Sequence, residues 1–329
     1  MYTVCYVLID DDSLRYYRQL LISLTSLRRR GFPGEVKILT DETTAKIIGT
    51  RKGAELSDLS AEPVVVDVPE KLARKARSRF IKTSIREHIE GDFLFIDTDT
   101  VIADALPDQI SAHDIAMVLD GHLPMAERTN IGGVDFAKDI FRKCGYPFDI
   151  SARVFNSGVI WCRDTDFSHD FFRRWHDEWT YTNGRGVVRD QPSLCRVSAQ
   201  AGDAVAELDG RFNVQVSWPV PVDFLVNAVI IHYYNDFNHD ESAYVLQQPE
   251  TQELDIDSET IRQVIESPKT AFVPCRLVKL NGPGDRMAQT ETYRFLLSSF
   301  NRRKGLFRFL ESSVRTAKKV KNRIVGRKK

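Results

Sequence analysis

The sequence predicts an α/β fold, a mostly parallel sheet flanked by helices, followed by a helical, basic C-terminal appendage. Three observations predict it. Short apolar runs alternate with helix-period patterns through the first two-thirds of the chain, the signature of crossover βα units. The length, 329 residues, suits one large domain with appendages better than two equal ones. Apolar and charged contents of 42% and 28% exclude a disordered or fibrous chain.

The elements follow in order. Val4-Cys5-Tyr6-Val7-Leu8-Ile9 reads as a strand, and Asp10-Asp11-Asp12-Ser13 supplies capping chemistry for the helix behind it. Leu14, Tyr17, Leu21, Leu24 and Leu27 then recur at helical spacing, until Gly31-Phe32-Pro33-Gly34 stops the helix. Val36–Thr40 and Pro63–Val68 are the next strands, and Lys71–Ile89 reads as a helix. Phe93-Leu94-Phe95-Ile96 is a short buried strand running directly into Asp97-Thr98-Asp99. Ile115–Leu119 resumes the sheet. Asp120–Arg153 reads as a long irregular stretch, broken at Gly132-Gly133, with a short amphipathic piece near Phe136–Phe141; loops of that size are lids or disordered. Val154–Cys162 returns to strand, Asp166–Tyr181 and Asp190–Gln200 to helix, and Ala228–Tyr234 to the last clear strand.

Beyond about residue 240 the chain turns polar and less regular. The expected organisation is one α/β domain over 1–240, a loop-rich, partly helical extension over 241–300 and a basic tail over 301–329. Asn281-Gly282-Pro283-Gly284 is the best linker within it.

Five scattered cysteines (Cys5, Cys144, Cys162, Cys195 and Cys275) form no CxxC pair, which points to buried, reduced thiols. No basic-then-apolar leader precedes the first strand. No apolar run reaches the roughly 18 residues of a spanning helix, so a cytoplasmic protein is expected. The net charge of zero hides an asymmetry: residues 301–329 carry 12 Lys/Arg and one acid, leaving 34 basic and 45 acidic residues elsewhere. An acidic body does not suit nucleic acid.

Asp97 and Asp99 carry the strongest chemical signal. Two carboxylates flanking one residue at the C-terminal end of a buried strand can aim at one hard cation, Mg²⁺ or Mn²⁺. Open α/β sheets bind ligands outside those strand ends. The bland alternative is a solvated or capping loop. Asp10 and Asp12 occupy the equivalent end of the first strand, where a helix cap competes with nucleotide contact.

Four pieces in one order carry a family resemblance: Phe93-Leu-Phe-Ile-Asp-Thr-Asp-Thr100, Val154-Phe-Asn-Ser-Gly-Val-Ile160, Arg189-Asp-Gln-Pro192 and Ile230-Ile-His232. With the N-terminal strands, residues 1–240 resemble GT-A fold glycosyltransferases, and glycosyltransferase family 8 in particular. The resemblance implies a GT-A, Rossmann-like sheet. It implies that Asp97, Asp99 and His232 hold Mn²⁺ or Mg²⁺ against a nucleotide-sugar diphosphate. It places Asn156, Ser157, Gly158, Asp190 and Gln191 at the donor sugar, Asp190 and Gln191 nearest the anomeric carbon. Asp10 and Asp12 would meet the nucleoside, Thr98 the donor, and Arg79, with Lys82 as second choice, would touch the donor from the preceding helix.

Each residue also has a dull reading: a strand-entry turn for Asn156-Ser157-Gly158, a helix cap for Asp190, a satisfied core histidine for His232. One departure stands out. The Gly and Lys-Pro-Trp that many family members carry after the histidine are replaced by Tyr233-Tyr-Asn-Asp-Phe-Asn-His239, so the phosphate cation falls to Arg153, Arg185 or Arg189.

The resemblance implies transfer of a hexose from UDP-galactose or UDP-glucose to a glycan or lipid-linked acceptor, with retention of configuration. The alternatives are a non-catalytic nucleotide-sugar-binding relative and a sugar-1-phosphate nucleotidyltransferase. The second would open with a Gly-rich, Arg-containing loop where this chain has Ile9-Asp-Asp-Asp-Ser13. In the tail, Leu306, Leu310, Val314, Ala317, Val320 and Ile324 share one helical face among the basic residues, with Phe307 and Phe309 nearby. A cationic helix of this kind is expected to lie on an anionic membrane, here the inner face of the plasma membrane, in lipopolysaccharide or capsule assembly.

Overall fold

A computed structural model describes residues 2–51, 53–127, 131–216, 222–233, 246, 255–272, 292, 295–296, 299 and 303–326. The chain divides into two compact units, Met1–Val273 and Pro274–Lys329. In the first, strands β1 (Thr3–Leu8), β2 (Val36–Thr40), β3 (Ala61–Val65), β4 (Phe93–Ile96), β6 (Ile115–Leu119), β7 (Phe155–Cys162) and β8 (Val205–Glu207) form one sheet in the order β3-β2-β1-β4-β7-β6-β8. Every pairing is parallel except those of β7, which runs antiparallel to both β4 and β6. A second sheet sets β5 (Thr100–Ile102), β10 (Ile230–His232) and β9 (Val214–Gln215) side by side in that order.

Strand periodicity divides the core in two. Val4, Tyr6 and Leu8 of β1, with Leu94 and Ile96 of β4, face α1 (Arg15–Arg29) through Tyr17, Leu20, Leu24 and Leu27. The alternate residues Cys5, Val7, Phe93 and Phe95 face the other way. There they meet Ile81 of α4 (Arg74–Thr83), Phe171, Phe172 and Trp175 of α6 (Asp166–Gly184), and Leu194 and Val197 of α7 (Gln191–Ala201). Burying both faces is what makes these strands read as continuous apolar runs.

Several expectations need correction. The stretch 120–153 is not irregular throughout: Ile131–Cys144 is helix α5. Its Gly132-Gly133 pair falls in the first turn, where glycine weakens a helix least. The helix expected over 71–89 ends at Thr83. There the Thr83 and Ser84 hydroxyls donate back to the Arg79 and Phe80 carbonyls, at 2.9 and 3.0 Å, and a 3₁₀ turn follows at Ile85–Glu87. The last strand is three residues, not seven. Helices α2 (Glu42–Arg51), α3 (Gly53–Asp58) and α8 (Val222–Val226) and strands β5, β8 and β9 had no expectation, the strands being too short to show a period.

Helix α9 (Glu259–Glu266) belongs to the first unit; its Ile261, Val264 and Ile265 pack with Ile22 of α1 and Ile231 of β10. In the second unit Lys304–Gly326 forms helix α10. Cys5, Cys144, Cys162 and Cys195 are buried free thiols, as expected. Cys275, His239, the 281–284 linker and the side chains of Val320 and Ile324 lie outside the described residues. No described helix is long and apolar enough to cross a membrane.

Candidate functional site

The direction of β7 builds the site. Because β7 pairs antiparallel to β4, with Ile96 opposite Val159, it begins where β4 ends. The Asp97 N–H donates to the Gly158 carbonyl at 2.8 Å, which fixes Asn156-Ser157-Gly158 beside the acidic triplet. Strand β5 then turns away and pairs antiparallel with β10, His232 opposite Thr100. The Tyr233 N–H donates to the Asp99 carbonyl at 3.0 Å, so His232 is carried to the carboxylates.

Asp97, Asp99 and His232 thus come together with ligand atoms all within 4.8 Å of one another. His232 Nε2 lies 3.2 Å from Asp99 Oδ1 and 3.9 Å from Asp97 Oδ2. Two carboxylates and an imidazole fit a divalent cation such as Mn²⁺ or Mg²⁺ in their chemistry and their convergence. Burial pushes the Asp99 carboxyl up, but the His232 charge and hydrogen bond, with Lys82, outweigh it and hold it below the usual carboxylate range.

The opposite wall is charged. Lys82, 2% exposed, sends its ammonium to both Asp97 oxygens, at 2.9 and 3.0 Å, and lies 3.7 Å from Asp190 Oδ2. Asp190 sits at the N-cap of α7 but makes no capping bond with its side chain. Instead its Oδ2 accepts from the Ser157 hydroxyl at 2.7 Å, and its Oδ1 lies 3.0 Å from Arg79 Nε, in ion-pair range but off-line for a hydrogen bond. Burial pushes Asp190 up; the Arg79 and Lys82 charges and the Ser157 hydroxyl overcome it and hold the carboxyl well below its usual range. Gln191 Nε2 donates to the Phe155 carbonyl at 3.3 Å.

These residues line a cleft of about 430 Å³ at the C-terminal end of β4. Of the sequence candidates, Arg79, Lys82, Asp97, Thr98, Asp99, Asn156, Ser157, Gly158, Asp190, Gln191 and His232 all line it. Asp10 and Asp12 do not. Asp10 is buried, and its two oxygens accept from the backbone N–H groups of Asp11 (2.9 Å) and Tyr17 (2.7 Å). It therefore caps α1 from a distance, while Leu14 holds the N-cap in a left-handed conformation with φ 53°.

Of the three arginines considered for phosphate, Arg189 lines the cleft. Arg153 turns to the Gly202 carbonyl and Arg185 to that of Lys143. Sequence reasoning missed Arg15, Tyr16, Arg74 and Lys75, which also line the cleft. A signal existed for Lys75: with Arg79 and Lys82 it recurs at i, i+4, i+7, one face of a helix. Asn213 and Asp120, which hold Asn156, carried no signal at all.

Neither a protein-family model nor a curated protein sequence matches the chain. Solved structures do. The glycosyltransferase GlyE of Streptococcus pneumoniae TIGR4 is 14% identical with a TM-score of 0.50, over 83% of this chain and 65% of that one, so this chain spans just under two-thirds of GlyE. The galactosyltransferase LgtC, in complex with donor and acceptor sugar analogues, is 14% identical at 0.48, over 80% and 95%. Mouse xyloside xylosyltransferase 1 is 11% identical at 0.46, over 70% and 97%. The likeness is one of fold, and the fold is the GT-A type expected from the sequence.

Proposed function

We propose that this chain is a metal-dependent glycosyltransferase. It moves a hexose from a nucleoside-diphosphate sugar, UDP-galactose or UDP-glucose, to a glycan or lipid-linked acceptor, with retention of configuration. The observation that carries this reading is the convergence of Asp97, Asp99 and His232 in a cleft whose other wall is basic. A divalent cation bound there supplies a Lewis acid for the departing diphosphate. Arg15, Arg74, Lys75 and Arg189 supply the positive charge that a diphosphate needs in place of the missing Lys-Pro-Trp.

In transfer, the bond from the anomeric carbon to the diphosphate oxygen breaks and the acceptor oxygen bonds on the same face. The acceptor proton leaves on the diphosphate. Asp190, ionised by its cationic neighbours, faces the developing positive charge on the sugar as a fixed anion rather than a proton carrier. Gln191, anchored on Phe155, orients beside it.

The test incubates the protein and Mn²⁺ with a panel of nucleotide sugars and measures nucleoside diphosphate release. Release from one donor, lost in a folded Asp97→Ala/Asp99→Ala variant, supports the reading. Absence of both cleavage and metal-dependent donor binding across the panel sinks it.

The tail belongs to the same reading. Helix α10 exposes Phe309 and Val314 among its basic residues, which suits the inner face of an anionic membrane and a lipid-linked acceptor. Co-sedimentation with phosphatidylserine vesicles that weakens with salt supports this placement; equal binding to neutral vesicles contradicts it.

A further inference from the structure

We infer that Asn213 is a positioning residue for His232, fixing which ring nitrogen faces Asp97 and Asp99. The inference adds to the proposed metal site and rests on it for its effect on metal binding, but not for its geometry. His232 Nδ1 lies 3.0 Å from Asn213 Oδ1; Asn213 Nδ2 lies 2.9 Å from Asn156 Oδ1; Asn156 Nδ2 lies 3.1 Å from Asp120 Oδ1. Asn213 is fully buried and His232 nearly so, at 3% exposure.

The polarity of this chain is set at its far end. The Gly158 backbone N–H, which can only donate, points at Asn156 Oδ1 at 2.9 Å. The Asp120 carboxylate, which can only accept when ionised, takes the other end of the same amide. Reversing Asn156 would set N–H against N–H and carbonyl against carboxylate. With Asn156 Oδ1 thus an acceptor, Asn213 must present its NH₂ there and its carbonyl to His232. Nδ1 therefore carries a proton, and Nε2 is the nitrogen directed at Asp99 and Asp97.

Nε2 faces carboxylate oxygens at 3.2 and 3.9 Å, a setting that draws positive charge, a proton or a metal ion, to that nitrogen. The amide chain therefore holds Nε2 toward the carboxylates through a partner on the ring's outer nitrogen. Gly158 leaves room for the ring: a Cβ there would sit 2.2 Å from His232 Cε1 and 2.6 Å from Nδ1. Asn156, expected at the donor sugar, has its carbonyl and amide nitrogen engaged in this chain, and acts through it.

The first test needs no variant. In metal-free protein, isotope-resolved NMR of the His232 ring is expected to show a proton on Nδ1, the nitrogen facing Asn213. A bare Nδ1 overturns the inference. The second test measures Mn²⁺ alone by calorimetry. Asn213→Ala should bind it about 10–100-fold more weakly, while Asn213→Asp, which still accepts from Nδ1–H, should bind more tightly than the alanine variant. An Asn213→Ala protein that binds Mn²⁺ like wild type overturns the inference. A wild type with the expected Nδ1 proton and no affinity for Mn²⁺ or Mg²⁺ leaves Asn213 in its role and sinks the metal site of the proposed function.

Discussion

The two walls of the cleft are held by different forces. On the α4 and α7 side, Lys82 and Arg79 bind Asp97 and Asp190 by charge, with the Ser157 hydroxyl assisting. On the β9 and β10 side, His232 is held by neutral amides, Asn213 and Asn156, anchored on a backbone N–H and on Asp120. The difference teaches where precision comes from. Ion pairs fix charge balance but tolerate rotation of long side chains, whereas the amide chain has a direction that places a proton on His232 Nδ1. Asp97 belongs to both walls, paired with Lys82 and 3.9 Å from His232.

Removing the point where the walls meet should have the largest effect. Asp97→Ala/Asp99→Ala is expected to lower nucleoside diphosphate release by about 10³-fold with the fold intact by circular dichroism. Next comes the charged wall alone. Lys82→Met leaves Asp97 and Asp190 without their shared ammonium in a site where Lys82 is buried. It should cost about 3 kcal/mol by urea denaturation. A change below about 0.5 kcal/mol would mean that water already screens the wall.

The amide wall should yield to shape rather than charge. Gly158→Ala forces a methyl against the His232 ring, costing about 1–3 kcal/mol and weakening Mn²⁺ binding by about tenfold. Wild-type metal affinity in that variant would show that the ring has other room.

The smallest effect is in pH. His122 packs against β9, where its Nε2 accepts from the Gln215 N–H at 3.1 Å and its ring stacks on Phe224. Burial, opposed by Asp120, pushes its pKa down from 6.5 to about 4. The unfolded chain therefore takes up this proton first as pH falls. Stability is full above about pH 6.5, declines down to about 4 and is then level. Allowing for a half-buried ring, the loss at pH 5 is about 1–2 kcal/mol, and His122→Leu should flatten that part of the urea midpoint curve. An unchanged slope would place the titration elsewhere.

Much of this was legible in the residues themselves. The α/β class, the buried β4 run and the acidic triplet at its end are contiguous patterns, and a contiguous pattern states which face of an element is buried and where the element stops. The basic i, i+4, i+7 face of α4 was equally open to reading. The helix at 131–144 was hidden by glycines in its first turn. For Asp10 a helix cap and a nucleotide contact stayed open, because composition cannot tell a carboxylate that caps a helix from one that meets a ligand.

The sequence by itself determined the kind of fold and the pair of carboxylates at the end of β4. Only the tertiary structure decided that β7 runs backwards between two parallel neighbours, bringing Gly158 against His232 and Asn213 behind it. The physical reason is that apolar periodicity encodes burial, not partnership. Strand direction and the polarity of a buried amide are set by groups far apart in the chain that meet only once the sheet has closed around them.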